Sequence, residues 1–196
     1  AVLSTHTGGF TGFTFRDLTE DMPAIKDHWV KEGIRFDAIY TGYLGSTKQI
    51  DYVADIFDSV GAENCVKIVD PAMGDHGKLY TCFDMEYAHA MVDLCTVADV
   101  IIPNVTEACF MTGVPYRQDL DEEYVSDLMD KLEKICPNVI LTGIGYAPDT
   151  WTSLVDFLRK KGYTDQELRD SGLVTVSKKN GNLFDRFRDR LMFPII

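Results

Sequence analysis

Residues 65–80, CVKIVDPAMGDHGKLY, set a short apolar run directly before a Pro/Gly turn that carries two aspartates. The run CVKIVD (65–70) is rich in β-branched residues and closes on a polar one, which reads as a buried strand. Pro71 and Gly74 then shape a turn that brings Asp70 and Asp75 to the strand's carboxyl end. Working outward, the same design recurs in FDAIYTG (36–42), ADVIIPN (98–104) and NVILTG (138–143). Between these runs, residues 47–61, 84–97 and 119–135 place apolar side chains at helical spacing, as with Tyr124, Leu128, Leu132 and Ile135. Strand, helix, strand in repetition predicts right-handed crossovers and a mostly parallel central sheet covered on both faces, a three-layer αβα sandwich.

The chain of 196 residues, 45% hydrophobic, suffices for one globular domain spanning 1–196. A net charge of −12 argues against sequence-independent binding to nucleic acid or to an anionic membrane, both of which need a basic face. Acidic charge does not forbid a phosphate ligand, because backbone donors or a bound cation reverse the field locally. Cys65, Cys82, Cys95, Cys109 and Cys136 are odd in number and lack metal-like spacing, so free thiols in the reducing cytoplasm are expected. No apolar run approaches the roughly 18 to 20 residues of a membrane helix. The opening Ala1-Val2-Leu3 reads like the tail of a strand and LMFPII (191–196) is an unrelieved apolar run, so a fragment, incomplete at both ends, is expected.

In parallel sheets the ligand crevice lies beyond the carboxyl ends of the strands. The candidates there are Thr41, Gly42 and Tyr43; Asp70 and Asp75; Asn104 and Glu107; Thr142 and Gly143. The three carboxylates are hard oxygen donors of the kind that hold Mg²⁺ against phosphate, and the glycines let a ligand approach the backbone. Neither GxxxxGK[ST] nor GxGxxG occurs. Taken singly, each residue has an ordinary explanation. Asp70-Pro71 is common turn chemistry, Asn104 with Glu107 suits a helix N-cap and its partner, and the Thr-Gly pairs can simply close elements.

Together, TGYLGS (41–46), DPAMGDHGKLY (70–80) and ADVIIPNVTEACFMTG (98–113) resemble the motifs of pyridoxal/pyridoxamine kinases, of the ribokinase-like superfamily. LSTHTGGFTGF (3–13) is similar to that family's vitamin-binding segment and VILTG (139–143) to its nucleotide-side strand. The resemblance implies ATP-dependent phosphorylation of the 5′-hydroxymethyl group of pyridoxal, pyridoxamine or pyridoxine, with Mg²⁺ and, as a candidate further cation, K⁺. It implies that Thr7 and Tyr43 contact the vitamin ring, that Asp70, Asp75 and Glu107 organise Mg²⁺ and the phosphates, and that Asn104, Thr142 and Gly143 lie on the nucleotide. A homodimer is expected on the same ground.

The family also carries a Gly-Thr-Gly-Asp motif whose glycines form an anion hole and whose Asp is the base, and no GTGD occurs in this chain. DRFRDRLMFPII (185–196) falls about where that motif should follow, so no catalytic residue is assigned and the chain alone is expected to be nearly inactive. Two alternatives stay open: a hydroxymethylpyrimidine kinase of the same superfamily, and a non-catalytic remnant that binds vitamer or nucleotide.

Overall fold

A computed structural model of the chain describes residues 1–5, 11–144 and 164. The chain divides into two units, Ala1–Gly145 and Tyr146–Ile196, and every element below lies in the first. Strand β1 (Val2–Ser4) pairs antiparallel with β2 (Phe15–Asp17). Helix α1 (Met22–Lys31) carries a proline in its first turn, where its fixed φ suits helix entry. After β3 (Phe36–Thr41), Ser46 caps α2 (Thr47–Val60) by accepting the Gln49 backbone N–H. Strand β4 (Gly61–Val69) leads into the hairpin of β5 (Gly74–Asp75) and β6 (Lys78–Leu79). Asp84 caps α3 (Met85–Thr96), β7 (Val100–Ile101) follows, and Asn104 caps α4 (Val105–Thr112). Asp121 caps α5 (Glu122–Leu132).

The fold is α/β on a parallel sheet. The order is β3-β4-β7, with Thr41 beside Val69 and Val69 beside Ile101. Residues 138–143, expected as a fourth strand, lie parallel to β7 through the bridges Ile101 to Val139 and Asn104 to Thr142. Their ladder is broken in the middle because Pro103 has no N–H to donate; its carbonyl still accepts from the Thr142 N–H at 2.8 Å.

Sequence periodicity places α2, α3 and α5 well, since each has an apolar face and an Asp or Ser at its cap. The strand tail read at Ala1-Val2-Leu3 overlaps β1, whereas α1 and β2 were not anticipated. Helix α4 answers the Asn104–Glu107 capping pattern and ends on Gly113, whose φ of 74° is the left-handed value that favours glycine.

The helices form a row in which each packs on the next, and α2 also lies on β3 and β4. One face of the sheet joins them in the core, where Val69, Ile101, Met91, Leu128 and Leu132 are fully buried and Phe57 is nearly so. The register puts Ala38 beside Val66 and Tyr40 beside Ile68 on the other face, and there Tyr40, Val66 and Ile140 are exposed. Among the described residues no helix is long and apolar enough to cross a membrane, and all five cysteines are free.

The two faces make opposite predictions in urea unfolding. Phe57→Ala, deep in the core, is expected to cost about 3–5 kcal/mol, whereas Val66→Thr on the open face should stay within about 0.5 kcal/mol. Equal costs at the two positions would mean that the core is misassigned.

Candidate functional site

The ends of β3, β4 and β7 and of the bridged segment 138–143 meet at the carboxyl edge of the sheet. The backbone N–H of Asp70 donates to the Thr41 carbonyl at 2.9 Å, which locks the end of β4 to that of β3. Beyond Asp70 the turn runs through Met73 to the β5–β6 hairpin, and that turn is fastened to the start of α4 by side chains.

Glu107 is the fastener. Its Oε1 accepts the Met73 N–H at 3.1 Å and its Oε2 accepts the Asn104 N–H at 2.8 Å. Asn104 completes the capping box by accepting the Glu107 N–H through Oδ1 at 2.9 Å, and its Nδ2 donates to the Gly74 carbonyl at 2.9 Å. Gly143, at φ 72°, lies close enough that an added Cβ would stand 3.6 Å from the Asn104 Cβ. The structure therefore brings Asn104, Glu107, Thr142, Gly143 and the Asp70–Asp75 turn together in one assembly.

Burial governs the electrostatics. Glu107 is 3% exposed, and desolvation pushes its carboxyl up to about 8, with hydrogen bonds from the Asn104 and Met73 backbone opposing and Asp70 reinforcing the rise. Asp70 is likewise raised by burial, against the Tyr40 hydroxyl that donates to its Oδ2 at 2.9 Å. Tyr40 in turn is pushed up to about 12, first by desolvation and then by the Asp70 contact.

Asp70, Asp75 and Glu107 were expected to organise Mg²⁺ together, yet among the described residues no three His, Cys, Asp or Glu side chains group closely enough to cage a metal. Both Glu107 oxygens are taken by backbone N–H groups, so Glu107 orients the turn. Among the described residues the Asp70 carboxylate accepts from the Tyr40 hydroxyl, and the Asp75 carboxylate accepts the His76 N–H at 2.8 Å with His76 Nε2 at 3.5 Å, so each keeps acceptor capacity. Two carboxylates fit an ion that retains water and shares phosphate oxygens, which is how Mg²⁺ is ordinarily held. A buried Thr41 Oγ1 with no partner among the described residues leaves a polar atom to be satisfied at the same edge.

Tyr43 stands in an aromatic group that the sequence reading missed. Its hydroxyl lies 3.3 Å from Cys82 Sγ and its ring 5.4 Å from that of Phe83, which stacks on Tyr87 at 3.8 Å. The Tyr87 hydroxyl donates to the Leu44 carbonyl at 2.7 Å, fixing the loop that carries Tyr43. The signal available in sequence was the aromatic density of LYTCFDMEY (79–87), where Tyr80, Phe83 and Tyr87 stand at i, i+3 and i+7. Thr7, the other expected ring contact, lies outside the described residues.

Comparison with known proteins divides the chain. A protein from Bacteroides thetaiotaomicron VPI-5482, assigned as a phosphomethylpyrimidine kinase and crystallised with pyridoxal, is 40% identical with a TM-score of 0.68, over 74% of this chain and 51% of its own. A rhombohedral crystal form of a phosphomethylpyrimidine kinase from the same source aligns over 99% of this chain and 82% of its own, at 30% identity and a TM-score of 0.69. The chain belongs to the pyridoxal kinase and phosphomethylpyrimidine kinase family. The pyridoxal kinase of Lactobacillus plantarum is 30% identical with a TM-score of 0.67, over 74% of this chain and 52% of its own. In these 74% alignments the chain spans about half the length of the kinases it matches.

The last third of this kinase-family chain is similar to something else. Residues 136–196 match the family model of the DNA primase catalytic core, N-terminal domain. The DNA primase of Deinococcus radiodurans is 48% identical over 52 residues, 26% of this chain and 9% of the primase. DRFRDRLMFPII, read from sequence as the approach to a GTGD motif, falls inside that match. Identity to the Bacteroides kinase is also lower, 30% against 40%, where the alignment takes in nearly the whole chain.

Glu107 makes stability depend on pH with a definite sign. Its folded value of about 8 lies above the ordinary 4.5, so its stabilising contribution is complete below about 4.5 and is lost as pH rises to about 8. Thermal or urea unfolding of the wild type should weaken across pH 5 to 8, by up to about 1.4 kcal/mol per pH unit from this group. Glu107→Gln should flatten that slope while lowering stability by about 1–3 kcal/mol, because an amide cannot accept at both positions. The same slope in both proteins would assign the effect elsewhere.

Proposed function

We propose that the unit Ala1–Gly145 is the binding half of a kinase that phosphorylates a hydroxymethyl group on a small heteroaromatic ring, with a B6 vitamer as substrate and ATP as donor. The observation that carries this is the assembly in which Glu107 and Asn104 hold the Asp70–Asp75 turn against the start of α4, at the joint end of β3, β4, β7 and the bridged segment 138–143. Family membership supports the reaction class, and pyridoxal in a crystal of the 40% identical protein supports the vitamer.

In this reading each residue has a physical task. Asp70 and Asp75 hold Mg²⁺, which when bound neutralises phosphate charge and lines up the transferring group. Asn104 and Glu107 keep the turn in place, and Thr142 with Gly143 offers a hydroxyl and an unobstructed backbone to the nucleotide side. Tyr43, backed by Phe83, presents an aromatic face for the vitamer ring, with Thr7 as its expected partner. A dimer and cytoplasmic location remain part of the proposal, as does K⁺ beside the nucleotide.

No residue of the chain is assigned as the base that takes the hydroxyl proton. Loss of such a group lowers rates by about 10²- to 10⁴-fold. A second reading, binding without turnover, is favoured for this chain by the absence of GTGD together with the primase match over residues 136–196.

Equilibrium binding separates the readings. The whole chain should bind Mg·ADP and pyridoxal, with trace turnover at most. Asp70→Asn combined with Asp75→Asn should weaken Mg·ADP by about tenfold or more and leave pyridoxal alone, and Tyr43→Ala should do the reverse. A competition series of pyridoxal against hydroxymethylpyrimidine decides the ring. Failure of the wild type to bind either nucleotide or ring would end the kinase reading.

A further inference from the structure

Asp75 closes the β5–β6 hairpin, facing Lys78 across a two-residue turn of His76 and Gly77. His76 has φ 50° and Gly77 φ 75°, both in the left-handed region, as the tight primed hairpin turns require. Such a turn fixes the direction of the residues flanking it, so Asp75 points wherever the hairpin points. Alone, a ladder of two residue pairs cannot hold that direction, because isolated short hairpins are marginal in water.

Two contacts hold it from outside. The buried Thr106, 2% exposed on α4, accepts the Gly77 N–H through Oγ1 at 2.9 Å. On its other side Gly77 lies against the ring of Tyr116: an added Cβ would stand 2.5 Å from its Cδ1. Tyr116 belongs to the loop before α5, and that loop is strapped down. The Tyr124 hydroxyl donates to the Pro115 carbonyl at 2.9 Å, Arg117 lies 4.3 Å over the Tyr124 ring, and Arg117 pairs with Asp121 at 2.5 Å. His76, Val105, Tyr116 and Gly143 line one open cleft of about 250 Å³, so the clamped turn forms a wall of the crevice.

We propose that Thr106 and Tyr116 are positioning residues that aim Asp75 at the cation of a bound nucleotide by clamping the His76–Gly77 turn between α4 and the loop before α5. The inference rests on the nucleotide reading of the strand-end crevice. Both residues act on Asp75 through Gly77. Thr106 supplies direction through a hydrogen bond, and Tyr116 supplies a flat wall that only glycine can approach.

The test uses the whole chain, with Mn²⁺ as the spectroscopic probe and ADP as the nucleotide. Mn²⁺·ADP affinity from electron paramagnetic resonance is compared among wild type, Thr106→Val, Thr106→Ser and Asp75→Asn, alongside hydrogen exchange at the Gly77 amide. Thr106→Val keeps shape and removes the acceptor, so it should lose Gly77 protection and weaken Mn²⁺·ADP by about tenfold. Thr106→Ser should restore both. Thr106→Val added to Asp75→Asn should cost little further, because both act on one contact. Wild-type binding with Thr106→Val unchanged, or full additivity with Asp75→Asn, overturns the clamp while leaving the kinase reading intact. No Mn²⁺·ADP binding by the wild type overturns the nucleotide reading and the clamp with it.

Discussion

A buried carboxylate that accepts backbone N–H groups from two separate segments is the constraint on which the site depends. Glu107 binds Met73 in the turn after β4 and Asn104 at the start of its own helix, so one side chain sets the distance between them. The cost of burying it shows in its raised protonation equilibrium, and the compensation is that two otherwise orphaned donors are satisfied without water. A water molecule could satisfy the same donors, but it would not fix where the turn lies. Asp70 and Asp75 are placed only because the segment between them is tied at its middle.

The same logic explains why a helix of eight residues is stable where it is. Val105–Thr112 is too short to persist alone. It is held by a full capping box at one end, a left-handed Gly113 at the other, and burial of Val105, Ala108, Cys109 and Met111 between them. Its polar positions, Thr106 and Glu107, are buried too, and each accepts from the backbone of the 70–77 segment. Packing and site organisation are thus properties of one short element.

Much of this was legible in the sequence, for identifiable reasons. The strands were visible because each is a short run rich in β-branched residues ending on a polar or turn residue, although Tyr40 and Val66 lie on an exposed face, and α2, α3 and α5 because their caps and apolar spacing agree. Asn104 and Glu107 were visible as a pair, but their spacing alone is equally that of a cap and of a ligand set. What separates the two is which atoms Glu107 faces, and Met73 lies 34 residues away in sequence. Tyr43, Phe83 and Tyr87 escaped notice as a group for the same reason: they assemble across a turn and a helix start. The last third misled in another way. Amphipathic, charged segments look alike across families, and 185–196 was read toward the motif that the preceding residues led one to expect, whereas it falls within a match to a different family.

Binding and chemistry are separable in the proposed reading, because the residues assigned to binding include none assigned to proton removal. The residues proposed to hold the cation, the nucleotide and the ring, Thr7 aside, all lie within residues 36–144, in a frame fixed by local contacts. Proton removal from the acceptor hydroxyl needs a group that none of these residues supplies. Preorganised binding without that group stabilises the ground state of a complex and leaves the barrier nearly where it was, since only interactions stronger in the transition state lower it. In the proposed reading the chain holds a nucleotide and a small ring side by side. Its frame depends on Glu107 and Asn104 whether or not phosphate is ever transferred across it.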